Sequence, residues 1–86
     1  MKEYYEILRE LREDRDYKQA YIAAVLGTTQ QVYSRYEKGV NEMPIRHLRR
    51  LCQYYHVSAD YVLSLPAHPD RDAASSLPRD ENLPGG

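Results

Sequence analysis

Neither tryptophan nor phenylalanine occurs in this 86-residue chain, and all nine of its aromatic side chains are tyrosine. A core built on large, wholly apolar rings is therefore excluded. Tyrosine buries its ring but needs a partner for its hydroxyl, so many of these rings are expected at the core edge or at an interface. Cysteine occurs once, at Cys52, which excludes an intramolecular disulfide framework and fits a reducing compartment. Cys52 and His56 stand four residues apart, but two ligands do not make a structural zinc site. Cys52 falls on an apolar stripe, where it acts as a small hydrophobe. His47 and His68 have no evident partners. With no Ser-His-Asp set, no paired carboxylates and no Gly-rich phosphate loop, an enzyme is not expected, nor any cofactor or metal. No apolar run reaches membrane-spanning length, and the opening residues do not read as a secretion signal. The expectation is a soluble, cytoplasmic protein without a membrane partner.

A chain of this length holds one small domain, whose core is marginal without close helix packing. What the sequence does have is helical periodicity. A first helix is predicted from Lys2 to Asp14, with Tyr4, Ile7 or Leu8, and Leu11 on its apolar stripe. Asp16 with Gln19 offers a capping box for the second helix, because Lys18 cannot accept from free backbone N–H groups. Ile22, Ala23 and Leu26 share that helix's inner face, and Gly27 follows its last apolar residue, where a left-handed turn favours glycine. Thr29 is the N-cap of a third helix from Gln30 to Glu37. Tyr33 and Tyr36 point inward there, while Gln31 and Arg35 share the outer face with Gln30 close by. Gly39 closes it.

Residues 40–43 carry no regular signal. Pro44 suits the first turn of a fourth helix, which runs to Tyr55 with Ile45, Leu48, Leu51, Cys52 and Tyr55 as its apolar stripe. Arg46, Arg49, Arg50 and Gln53 fill its polar face. Ser58 is the N-cap of a short fifth helix, with Val57 stapled to Val62, and Tyr61, Val62 and Leu65 supply its buried side before Pro66 ends it. These elements make a domain of residues 1–66. From residue 67 onward Pro, Ser, Asp, Arg and Gly dominate. That composition cannot bury enough apolar surface to offset ordering, so residues 67–86 are expected to form a disordered tail, with a short partner-binding motif as its one candidate function. No second, ligand-sensing domain is expected.

Two helices joined by a short Gly-containing turn, the second opening on glutamines, describe a helix-turn-helix whose second helix enters the DNA major groove. A glutamine amide donates and accepts in one plane, matching adenine N6 and N7, so Gln30 and Gln31 are candidate base readers. Arg35, one turn on, suits guanine or a phosphate. The net charge of −1 is unpromising for a DNA binder, but its distribution is not. Acids prevail up to Tyr17 and again in the tail. Between them Lys18, Arg35, Lys38, Arg46, Arg49 and Arg50 face only Glu37 and Glu42, which makes the middle segment the basic one that phosphate binding requires.

Gln19, Ala23, Gly27, Thr29, the Tyr33/Tyr36 pair, Glu37 and Gly39 resemble the helix-turn-helix of the lambdoid phage repressor and Cro family, which includes many small bacterial regulators of the xenobiotic-response-element type. The resemblance runs from about Tyr5 to Leu65, and the run from Gly27 to Gln31 is similar to the recognition-helix start of one lambdoid repressor. It implies an all-α, compact five-helix bundle of the lambda-repressor-like type, with helices two and three as the reading unit. It implies base contact by both glutamines, with Thr29 near the sugar-phosphate or a thymine methyl. Gln19, Lys18, Lys38 and Arg46 become candidate phosphate anchors, and Arg12 with Glu37 matches a family ion pair that joins the first helix to the end of the third. At Arg35 the similar repressor has glutamine, so base preference does not carry over.

The resulting expectation is a sequence-specific transcriptional regulator, a repressor that binds a palindromic operator in double-stranded DNA as a homodimer. Tyr54, Tyr55, Val57, Tyr61, Leu63 and Leu65 are the candidate dimer surface. Two alternatives belong to other classes: an antitoxin-type protein that binds its own promoter and a toxin, and a protein-interaction module on this fold without DNA binding.

Overall fold

The computed structural model describes residues 1–65, which form five helices and no strand. Helix α1 spans Tyr4–Asp14, α2 Gln19–Leu26, α3 Gln30–Glu37, α4 Ile45–Tyr55 and α5 Ala59–Val62. This is the all-α, five-helix arrangement expected. The proposed tail and Pro66 lie outside the described residues.

Helix α1 starts two residues later than predicted. The Glu3 backbone N–H donates to the Glu6 carboxylate at 3.0 Å, so an acid of the first turn closes the end that Lys2 could not. Both Ile7 and Leu8 are buried, and Leu11 packs against the core from its edge. At the other end the predicted role of Asp16 is corrected. Its backbone is left-handed, at φ 58°, and the Tyr17 N–H returns to the Arg12 carbonyl at 3.1 Å. Asp16 thus ends α1 and does not cap α2. Lys18 is the N-cap of α2, and no side chain bonds to that helix start.

The turn between α2 and α3 follows local rules. Gly27 takes φ 73°, and the Thr28 N–H reaches back to the Ala23 carbonyl at 2.9 Å. Thr29 Oγ1 then accepts from the Val32 N–H at 3.2 Å. Helix α3 ends at a second left-handed glycine, Gly39, whose missing Cβ is filled by the Tyr5 ring of α1: a Cβ there would lie 2.6 Å from Tyr5 Cζ. The close approach locks the end of α3 onto α1.

The core joins Leu8, Ile22, Tyr33, Leu51 and Val62, all without exposed surface, with Ala23, Tyr36, Tyr55 and Cys52 around them. Cys52 is the buried hydrophobe that the stripe predicted. Three expectations for the second half of the chain need correction. Pro44 is extended (ψ 148°) and serves as the N-cap of α4, outside its first turn. Ile45 is 79% exposed; His47 takes the buried place instead, its ring 5.9 Å from that of Tyr36. Residues 47, 51 and 55 form the true inner row of α4, and Ile45 lies off it. In α5 only Val62 is buried, while Tyr61 and Leu65 are about half exposed, because a four-residue helix has one inward position. The loop before Pro44, unmarked in the sequence, buries Met43, whose N–H donates to the Tyr4 hydroxyl at 2.9 Å. The Tyr33 and Tyr55 hydroxyls are buried without a hydrogen-bond partner.

Candidate nucleic-acid interface

Helix α3 presents residues 30, 31, 34, 35 and 38 on one face, the spacing that a 3.6-residue turn dictates. Together with Gln19 of α2 they line a single open groove: Gln19, Gln30, Gln31, Ser34, Arg35 and Lys38. Four residues at its mouth, Gln30, Gln31, Arg35 and Lys38, are exposed. Five of the residues singled out from sequence are thus brought together. Ser34 was missed, although the same periodicity marks it. Thr29 is adjacent, but its hydroxyl is committed to capping α3. Lys18 is exposed at the start of α2 and does not line the groove; Arg46 lines a different one, beside α2 and His47.

Beneath the groove the Arg12–Glu37 pair holds α3 in place. Arg12 Nε donates to Glu37 Oε2 at 2.7 Å and Nη2 to Oε1 at 3.0 Å, while Nη1 donates to the Tyr17 carbonyl at 2.8 Å. Gln19 Nε2 adds a donation to Glu37 Oε1 at 2.9 Å. The pair is largely out of water, with 11% and 3% of the two side chains exposed. Burial pushes the Glu37 carboxyl up, but the donors around it, Arg12 foremost, pull it further down, so it sits below its ordinary range. The same hydrogen bond raises Arg12. Desolvation takes back much of what such a pair gains, so its value lies in orientation: one carboxylate ties α1, α2 and α3 together.

Gln19 thus both lines the groove and donates to the acid beneath it, which fixes its Nε2 toward Glu37. The acid of α3 is neutralised from below. Arg35 and Lys38, by contrast, make no ion pair among the described residues. The groove consequently combines amides in its floor and mouth with two uncompensated cations, and no carboxylate lines it.

His47 follows Arg46 on α4. Burial lowers its pKa below the ordinary histidine range, and the Arg46 charge lowers it further. Of the residues expected at a dimer surface, Tyr55 is buried in the core at 2% exposure and is removed from that set. Tyr54 and Val57 are half-buried, with the Tyr54 hydroxyl 2.7 Å from that of Tyr21. Tyr61, Leu63 and Leu65 are exposed. Beside them a mainly apolar groove is lined by Tyr4, Met43, Pro44, Ile45, Leu48 and Leu63, with Glu42 at its edge as a carboxylate. No helix among the described residues is long and apolar enough to cross a membrane.

Comparison with characterised proteins and with solved structures gives no match. The helix-turn-helix family profile matches residues 8–62, from the middle of α1 to the end of α5. That match covers well over half of the chain and includes the Arg12, Gln19 and Glu37 contacts that position α3. The chain belongs to the Cro/C1-type helix-turn-helix family, a family of DNA-binding transcription regulators.

Proposed function

We propose that this protein is a sequence-specific repressor that binds a palindromic operator as a homodimer. The observation that carries the reading is the α3 face, where Gln30, Gln31, Arg35 and Lys38 converge with Gln19 on one groove and the acid of α3, Glu37, is satisfied from behind. Gln30 and Gln31 read base edges from the N-terminal end of α3, adenine being the partner their amides match. Arg35 takes guanine or a phosphate. Thr29 contributes its methyl group or backbone near the sugar-phosphate. Lys38, Lys18, Gln19 and Arg46 hold backbone oxygens without reading sequence.

One such face carries few contacts, so two half-sites are needed for useful affinity. Tyr61, Leu63 and Leu65, with Tyr54 and Val57 at the edge, supply the apolar surface that joins two copies, and Ile45 extends it along α4.

The test separates reading from anchoring. After selection of the preferred operator from random DNA, Gln30→Ala should cost roughly 1–3 kcal/mol on that operator and relax preference at one base pair of each half-site. The slope of log affinity against log salt should stay nearly unchanged, because no cation is lost. Equal weakening on selected and random DNA would remove Gln30 from the reading set.

A further inference from the structure

A second groove, of about 320 Å³, opens where α2 meets α4. The last turn of α2, from Ala24 to Gly27, forms one wall, and Arg46, His47 and Arg50 form the other. Arg46 and Arg50 are four residues apart and so share one face of α4. Both are exposed, and neither makes an ion pair among the described residues. His47 turns inward toward Tyr36, and no carboxylate lines the groove to offset the two guanidiniums. The glycine wall leaves the space open, since even a Cβ at Gly27 would meet nothing within 4 Å. Two like charges one turn apart repel, and an anion placed between them removes that repulsion while accepting from both forks.

The wall ends at Gly27, two residues before Thr29 caps α3. A duplex whose base edges meet Gln30 at the start of α3 therefore runs its backbone close to this turn. We infer that Arg50 acts with Arg46 as a two-pronged clamp on one DNA backbone phosphate, a positioning site on α4 separate from the α3 groove. The inference rests on the DNA-binding reading above. Arg49 supplies an internal control. It lies on the other side of α4, where it lines an apolar groove with Ile45, Leu48 and Cys52.

The experiment is salt-dependent binding of the full chain to its selected operator and to random DNA, with Arg50→Gln, Arg50→Lys and Arg49→Gln beside the parent. Arg50→Gln should weaken both DNAs by a similar factor, about tenfold per protomer near 0.1 M salt, and lower the salt slope by about one per protomer. Arg50→Lys should keep the slope, and Arg49→Gln should resemble the parent. A parent-like slope for Arg50→Gln overturns the clamp while leaving the DNA-binding reading intact. An equal slope loss in Arg49→Gln also overturns it, because a diffuse positive field would then account for both. A parent protein that binds neither DNA at low salt overturns the clamp and the functional reading together. Unchanged helical signal and melting temperature in each variant tie these outcomes to the lost charge.

Discussion

At the scale of single residues, Glu37 is the side chain whose chemistry is most constrained by its surroundings. It is 4% exposed and accepts from Arg12 and Gln19. Arg12→Ala leaves a buried carboxylate without its cation, which should cost about 3–5 kcal/mol at neutral pH. The pH dependence follows from the direction of the shift. A carboxyl held below its unfolded value stabilises the native state above that value, and the contribution is lost as pH falls through the native one. In Arg12→Ala the carboxyl rises and takes a proton as pH falls. Chemical denaturation should therefore show a stability gap between parent and variant that is widest near pH 7 and narrows toward pH 4. A gap independent of pH would mean that Arg12 acts through packing alone.

The elements are held by devices of very different legibility. Gly27, Thr29 and Ser58 can be read directly from sequence, because a cap or a left-handed turn is decided by neighbours three or four residues away. The two glycines that bracket α3 nevertheless differ in three dimensions. Gly27→Ala meets no atom and should cost only the left-handed strain, about 1–2 kcal/mol. Gly39→Ala meets the Tyr5 ring as well and should cost roughly 1–3 kcal/mol more. Thermal melts of the two variants, with Tyr5→Ala added to the second, should show that removal of the ring recovers the difference. Nothing local to Gly39 announces Tyr5, which lies in another helix. His47 and Met43 were unreadable for the same reason, since Tyr36 and Tyr4 make those positions interior. Asp16 misled because a good capping residue was needed more by the end of one helix than by the start of the next. The α3 face was legible by periodicity, and Ser34 with it. The Arg12–Glu37 contact was reached through family resemblance, as no spacing rule links positions in different helices.

For the molecule as a whole, the buried core among the described residues runs from Ile7 to Val62. From its composition, poor in apolar residues, the chain beyond Pro66 is expected to add little to that core. Truncation after Pro66 should accordingly leave the melting temperature and the DNA affinity nearly unchanged; a fall of several degrees, about 1 kcal/mol for a domain of this size, would show that the tail docks. Assembly should depend on the exposed apolar side chains instead. Leu65→Glu combined with Ile45→Glu should keep the monomer fold and half-site binding, yet abolish the gain in affinity from a second half-site. Retention of that gain would place the contact between copies elsewhere.

The two buried tyrosine hydroxyls turn the fold into its own optical indicator in alkali. Burial pushes Tyr55 up to about 12, and Tyr33, buried and beside Glu37, is raised as well. An unfolded tyrosine ionises near pH 10. Their neutral forms thus stabilise the native state fully below that pH, and the contribution drains away as pH climbs toward the native values. The folded chain should fall short of the tyrosinate absorbance that nine tyrosines can supply, and the missing part should appear only when the protein opens. With no tryptophan or phenylalanine to crowd the ultraviolet spectrum, the opening of the core can be followed by ultraviolet absorbance alone, without a label.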